Sequence, residues 1–172
     1  MRISEVQRRS RALVHEMGIE ELPVDILDVA TRLGITVVTK PLEEDISAVL
    51  VLNGHRAAIG VNENHHLHRQ RFSIAHELAH YMLHRDAANV FVDSTLTFYR
   101  DGRSAEGVYE QEIEANAFAA ELLMPAELVR YEVKRSEVDI HDDVAIARLA
   151  ARFKVSQQAL MIRLVRMGLI NE

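Results

Sequence analysis

The sequence predicts an α+β fold, mainly helical, with a small three-stranded sheet in its first half and a helical extension at its C-terminal end. Three observations carry that reading. Apolar residues recur at helical spacing along most of the chain, and one stretch switches to short β-branched runs around an Asn-Gly turn. Hydrophobic residues make up 48% of the 172, enough to build one sizeable core.

Residues 3–17 read as an amphipathic helix with Ile3, Val6, Leu13 and Met17 on one side. Pro23 suits the first turn of a second helix, which carries Ile26, Leu27, Ala30 and Leu33 and stops at Gly34. A β-branched run, Ile35-Thr36-Val37-Val38-Thr39, follows and ends at Pro41. Residues 47–52 and 56–61 flank Asn53-Gly54-His55, a hairpin signal because Asn-Gly readily takes positive φ. These three strands make one mixed or antiparallel sheet. A long helix, apolar on most sides, is expected from about Asn64 to His84. Residues 85–107 lack clear periodicity, contain Asp101-Gly102-Arg103, and read as a long surface segment of a kind that is often functional. A fourth helix runs from about Val108 to Met124 and is broken by Pro125. Further helices are expected at 126–135, 142–153 and 156–168.

Composition excludes several classes. With no cysteine, disulfides and thiolate metal sites are ruled out, which suits a reducing cytoplasm. The net charge of −6 argues against broad nucleic-acid binding, which depends on Lys and Arg neutralising phosphates. The N-terminus meets charged residues at once and has no apolar signal core. The longest apolar run, Ala48 to Leu52, falls far short of the roughly 20 residues that span a bilayer. The expectation is a soluble cytoplasmic protein with no membrane partner.

The chemistry concentrates at His76-Glu77-Leu78-Ala79-His80. Residues four apart on a helix project from one face, so His76 and His80 can share an ion while Glu77 stands beside them. HExxH in that form means two zinc ligands and a carboxylate next to the water to be activated. By chance alone, about one shuffled sequence in twenty of this composition would contain the pattern, so context must decide. Here Phe72, Ala75, Leu78, Ala79, Met82 and Leu83 form a broad apolar arc with both histidines at its edge. The bland alternative is a pair of packed or solvated histidines.

A zinc hydrolase needs a third protein ligand and an open position. On the helix after residue 108, Glu110, Glu114 and Glu121 share one side, as on a solvated face, so Glu114→Ala is expected to leave the metal untouched. Glu112 stands almost opposite, with Asn116, Ala119 and Leu123. A carboxylate on an apolar side needs a partner, and a metal suits it; otherwise it caps or pairs with an arginine. Asn116 could hydrogen-bond a ligand. His84 lies four beyond His80 but away from His76, and no glycine breaks the helix as in HExxHxxGxxH, so it is expected beside the site rather than on the metal. His65, His66 and His68 read as a solvated helix start.

These residues resemble the ImmA/IrrE family of metallo-endopeptidases. The resemblance runs through Arg69-Gln70-Arg71-Phe72-Ser73-Ile74-Ala75-His76-Glu77-Leu78-Ala79-His80-Tyr81-Met82-Leu83-His84. It resumes through Glu112-Ile113-Glu114-Ala115-Asn116-Ala117-Phe118-Ala119-Ala120-Glu121-Leu122-Leu123-Met124-Pro125. It implies a zincin-like domain with Zn2+ on His76, His80 and Glu112, since members take the first Glu of the second block as third ligand. It also implies an endopeptidase of bacterial or phage cytoplasm that cleaves a helix-turn-helix repressor. The extra sensory region of the larger stress-response members is not expected here.

Residues 1–135 are then the zinc metallopeptidase domain and 136–172 a helix-turn-helix-like subdomain packed on it. In the chemistry expected, Glu77 serves as general base, accepting the water proton and returning it to the leaving amine. Tyr99, Tyr109 and His141 are candidate oxyanion donors. The rival reading is a DNA-binding or toxin–antitoxin partner module with a structural zinc. Leu149 to Leu160 resembles a helix-turn-helix with Ser156 as cap. Residues 141–172 hold five basic against three acidic residues, a weak phosphate footprint.

Overall fold

The computed structural model describes residues 1–94, 105–135 and 142–170. Its elements are α1 (Ile3–Glu16), α2 (Ile26–Arg32), β1 (Ile35–Lys40), β2 (Ile46–Asn53), β3 (Arg56–Asn62), α3 (Leu67–His84), β4 (Val90–Ser94), α4 (Ala105–Leu123), α5 (Ala126–Arg135), α6 (Asp143–Phe153) and α7 (Gln157–Arg166). The fold is α+β, and no helix among the described residues is long and apolar enough to cross a membrane.

Local chemistry sets most of these boundaries. α2 starts at Ile26 because the Asp25 carboxylate accepts from the backbone N–H groups of Leu27 and Asp28. Pro23 therefore lies before the helix, after a cis peptide, rather than in its first turn. Gly34, at φ +75°, ends the helical turn and releases the chain into β1. In the hairpin Asn53 pairs with Arg56, leaving Gly54 (φ +59°) and His55 as a two-residue turn. Ser156 caps α7 by accepting from Ala159 N–H, as expected.

The sheet has four strands in the order β1-β3-β2-β4, with β1 parallel to β3 and the other pairs antiparallel. Three were expected. The fourth, β4, lies in the stretch taken from sequence as an aperiodic surface segment. Its five residues are too short for periodicity to register, yet Val92 pairs with Val49 and Phe91 with Leu50. Residues 95–104 of that stretch lie outside the described residues.

The inward sheet face, with Ala48, Leu50, Ile59 and Val61 buried, packs on α3, and α4 covers the other side of that helix. Every residue of α3 from Ser73 to His80 is consequently buried. α1 crosses α4, with Val6, Ser10 and Leu13 buried and the Ser10 hydroxyl donating to the Phe118 carbonyl at 3.1 Å. α6 and α7 join the same hydrophobic core through Leu149, Phe153, Leu160 and Leu164.

One buried ion pair ties α7 to α4. Arg163 Nη2 donates to Glu121 Oε2 at 2.6 Å and its Nε donates to the Met124 carbonyl at 3.1 Å. The other Glu121 oxygen accepts from Ala126 N–H at 3.1 Å, so one carboxylate holds the end of α4, the start of α5 and the middle of α7. Removing one partner of such a pair strands the other charge in the core. Arg163→Ala is expected to destabilise the protein by about 3–5 kcal/mol in chemical denaturation. Arg8→Ala, which breaks an exposed pair with Glu5, should leave the midpoint unchanged.

Candidate metal centre

α3 brings His76 and His80 to one face, and α4, packed against it, brings Glu112 to meet them. The two imidazole Nε2 atoms lie 3.0 Å apart, and Glu112 places one oxygen 3.0 Å from His76 Nε2 and the other 3.2 Å from His80 Nε2. Ligands about 2.0–2.1 Å from a tetrahedral ion are themselves roughly 3.3 Å apart, so this triangle has the size a cation requires. Among the described residues, His76, His80 and Glu112 form the one group of three or more that could hold a metal ion.

The partners of these side chains fix their tautomers. His76 Nδ1 donates to Asn116 Oδ1 at 3.1 Å, which leaves Nε2 for a ligand bond. His80 Nδ1 lies 3.2 Å from His84 Nδ1, and His84 Nε2 lies 2.8 Å from Glu114 Oε2. With the Glu114 carboxylate accepting from His84 Nε2–H, His84 Nδ1 is free to accept from His80 Nδ1–H. His80 Nε2 then points its lone pair at the centre. His84 thus stands beside the site, buried, as expected.

Glu114 does not lie on a solvated face. It is buried between His84 and the Met1 amino group, and Glu121 is buried against Arg163. A helical wheel describes one helix alone; here α3, α1 and α7 all dock on α4 and cover the side that the wheel left to solvent. Glu110 alone of that trio is exposed.

Glu77, next to His76, is fully buried, and neither of its oxygens has a hydrogen-bond partner of good geometry among the described residues. Burial pushes its carboxyl up to about 8, opposed chiefly by the nearby His76 and reinforced by Asp93 and Glu112. Burial also disfavours a charged His76, but the Glu112 carboxylate, with Asp93, overcomes this and raises it to about 9. Burial lowers His80 despite its bond to Glu112. Glu112 is partly buried, yet the two histidines hold it at about 2. Burial and the neighbouring acidic groups thus disfavour a charged Glu77, and a cation held by the three converging ligand atoms would reverse that balance.

Sequence reasoning missed Phe91 and Asp93. The Phe91 ring stacks on His80, with centroids 4.7 Å apart, and the Asp93 carboxylate accepts from the Ser73 hydroxyl at 2.9 Å. The alternation Val90-Phe91-Val92-Asp93, exposed at both valines and buried at Phe91, was the available signal. His66 caps α3 by accepting from His68 N–H, so the His65 cluster is a helix start. Tyr109 is 56% exposed on α4, and Tyr99 and His141 lie outside the described residues.

The family model of the IrrE N-terminal-like domain, a peptidase family, matches residues 30–165, and the chain belongs to that family. The membership supports a metallopeptidase. The chain is 29% identical over 119 residues to "Uncharacterized immunity region protein 2" of Bacillus phage phi105, covering 69% of each protein. Its fold is similar to that of a solved Mycobacterium tuberculosis transcriptional regulator, with a TM-score of 0.63 at 19% identity over 94% of this chain. The chain spans 47% of that protein's length.

Two outcomes are expected of this geometry. Glu112→Ala should lose most metal affinity, whereas Glu114→Ala, which removes the anchor of His84, should lower it by about 10–100-fold. Metal competition assays separate the two. Because His76, raised to about 9, must shed its proton to become a ligand, apparent affinity should fall by roughly tenfold per pH unit below that value. A flat profile from pH 8 to 6, after correction for the competitor's own protonation, would contradict the assignment.

Proposed function

We propose that the chain is a zinc-dependent endopeptidase, with His76, His80 and Glu112 as zinc ligands and Glu77 as general base. The observation that carries the reading is the fully buried Glu77 carboxyl, without a side-chain hydrogen-bond partner among the described residues, beside three converging ligand atoms. A zinc ion held there supplies Lewis-acid activation of water and polarises the scissile carbonyl. Glu77 takes the proton of the attacking water and delivers it to the leaving amine. Asn116, His84 and Glu114 keep the two imidazoles oriented, and Phe91 shields one face of His80. Residues 1–135 then form the catalytic unit, with 136–172 as a helical subdomain docked through Arg163.

The natural substrate we propose is a helix-turn-helix repressor, cut at one or few sites in the cytoplasm. Family membership and the likeness to a phage protein named for the immunity region support a protein substrate of this kind. Sites on a buried helix, bordered by β4, admit only a chain that fits, which suits a narrow peptidase. The DNA-binding alternative draws on the α6–α7 turn, where Lys154 takes a left-handed conformation (φ 51°) before the Ser156 cap. Against it, the chain carries a net charge of −6, which disfavours binding to phosphates.

Glu77→Gln is expected to retain the metal and abolish cleavage, because the amide keeps the shape but cannot take the proton. Co-expression with a neighbouring repressor should shorten that repressor with wild type and not with Glu77→Gln. An intact repressor alongside free degradation of unrelated unfolded proteins would make the chain a general peptidase.

A further inference from the structure

Beside the metal centre lies a cavity of about 410 Å³ that no role assigned so far uses. It falls within the roughly 300–1,000 Å³ of ordinary ligand pockets. Phe72 from α3, Ala120 from α4, Met124 just after it, Val155 from the α6–α7 turn, and Ala159 and Ile162 from α7 line it with apolar surface. Asn116 also faces it, and the same amide holds His76 Nδ1 at 3.1 Å. The Phe72 ring centroid is 6.3 Å from that of His76. The cavity is therefore one side chain away from the candidate metal centre. A bound chain advances about 3.3–3.6 Å per residue, so a peptide crossing that centre carries a side chain over the cavity within one or two residues of the scissile bond.

Two arginines stand at its rim. Arg69 is oriented by the buried Ser47 hydroxyl, which accepts from its Nε at 3.1 Å and its Nη2 at 2.8 Å. Arg166 is exposed, and among the described residues neither guanidinium is ion-paired with a carboxylate. His68, also on the rim, has its pKa lowered by burial and by His66 and Arg71, so the positive charge comes from the arginines. Ala159, Ile162 and Arg166 are spaced as one face of α7, and Ile162 is 47% exposed although apolar. An apolar cavity with unpaired guanidinium groups at its mouth fits a side chain and an anion presented together.

We propose that this cavity is the substrate-anchoring pocket, taking a large apolar side chain (Leu, Met or Phe) next to the scissile bond while Arg166 and Arg69 pair with a neighbouring Asp or Glu. The inference rests on the peptidase reading and adds its specificity. It gives the C-terminal helices a function, since α7 supplies one wall of the pocket and one of its two charges.

Immobilised, zinc-loaded Glu77→Gln protein is offered a randomised peptide library, and the retained peptides are sequenced. Ala159→Phe and Arg166→Glu are tested in the same background. Retention should enrich Leu, Met or Phe with Asp or Glu within two residues. Ala159→Phe fills the cavity and should lower the apolar enrichment about tenfold or more, the scale on which hydrophobic pockets sort side chains by size. Arg166→Glu should keep the apolar enrichment and exchange the acidic preference for Lys or Arg. Unchanged selection in both variants overturns the proposal, as does retention of duplex DNA instead of peptide. Capture needs no cleavage, so a wild type that leaves the library uncut with zinc supplied counts against the peptidase reading alone. If Ala159→Phe does not fold, the charge reversal at the exposed Arg166 decides.

Discussion

Glu77 sits fully buried in α3, neither of its oxygens has a hydrogen-bond partner of good geometry among the described residues, and the rest of the site turns on that carboxyl group. Its carboxyl stands at about 8 against an ordinary 4.5, a difference of about 5 kcal/mol in favour of the neutral form. Asp93 and Glu112 add to the penalty, and His76 relieves only part of it. At an effective dielectric near 20, unit charges about 4 Å apart interact by about 4 kcal/mol, so a dication at that distance contributes about twice as much. A cation bound there would be enough to hold Glu77 ionised, making the two one electrostatic unit.

The packing of α4 makes that unit possible. A single helix delivers Glu112 to both imidazoles, Asn116 to the far nitrogen of His76, and Glu114 to His84 behind His80. Such positioning needs α4 held from several directions. α1 clamps it through Ser10 and the Phe118 carbonyl, and α7 clamps it through Arg163 and Glu121. The C-terminal helices therefore belong to the same core as the site, and the cavity they help line is separated from His76 by Asn116 and Phe72.

Much of this was legible in the sequence where signals are local. HExxH at helical spacing, the opposed phase of Glu112, the Asn53-Gly54 turn and the Ser156 cap each depend on a few neighbouring residues. What escaped depends on contacts distant in sequence. Glu114 and Glu121 look like a solvated stripe until His84 and Arg163, 30 and 42 residues away, are placed against them. β4 is a strand because β2 offers it an edge, and its five residues carry too short an alternation to stand out. Pro23 misled because proline favours a first helical turn in general, whereas Asp25 sets the start here.

The most direct measurement is anomalous diffraction at the zinc edge from crystals of the purified protein. One peak is expected, bonded to His76 Nε2, His80 Nε2 and Glu112 at about 2.0–2.2 Å, with a fourth position open towards Glu77. A peak among His65, His66 and His68, or an ion closed off by four protein ligands with none of its coordination facing Glu77, would contradict it.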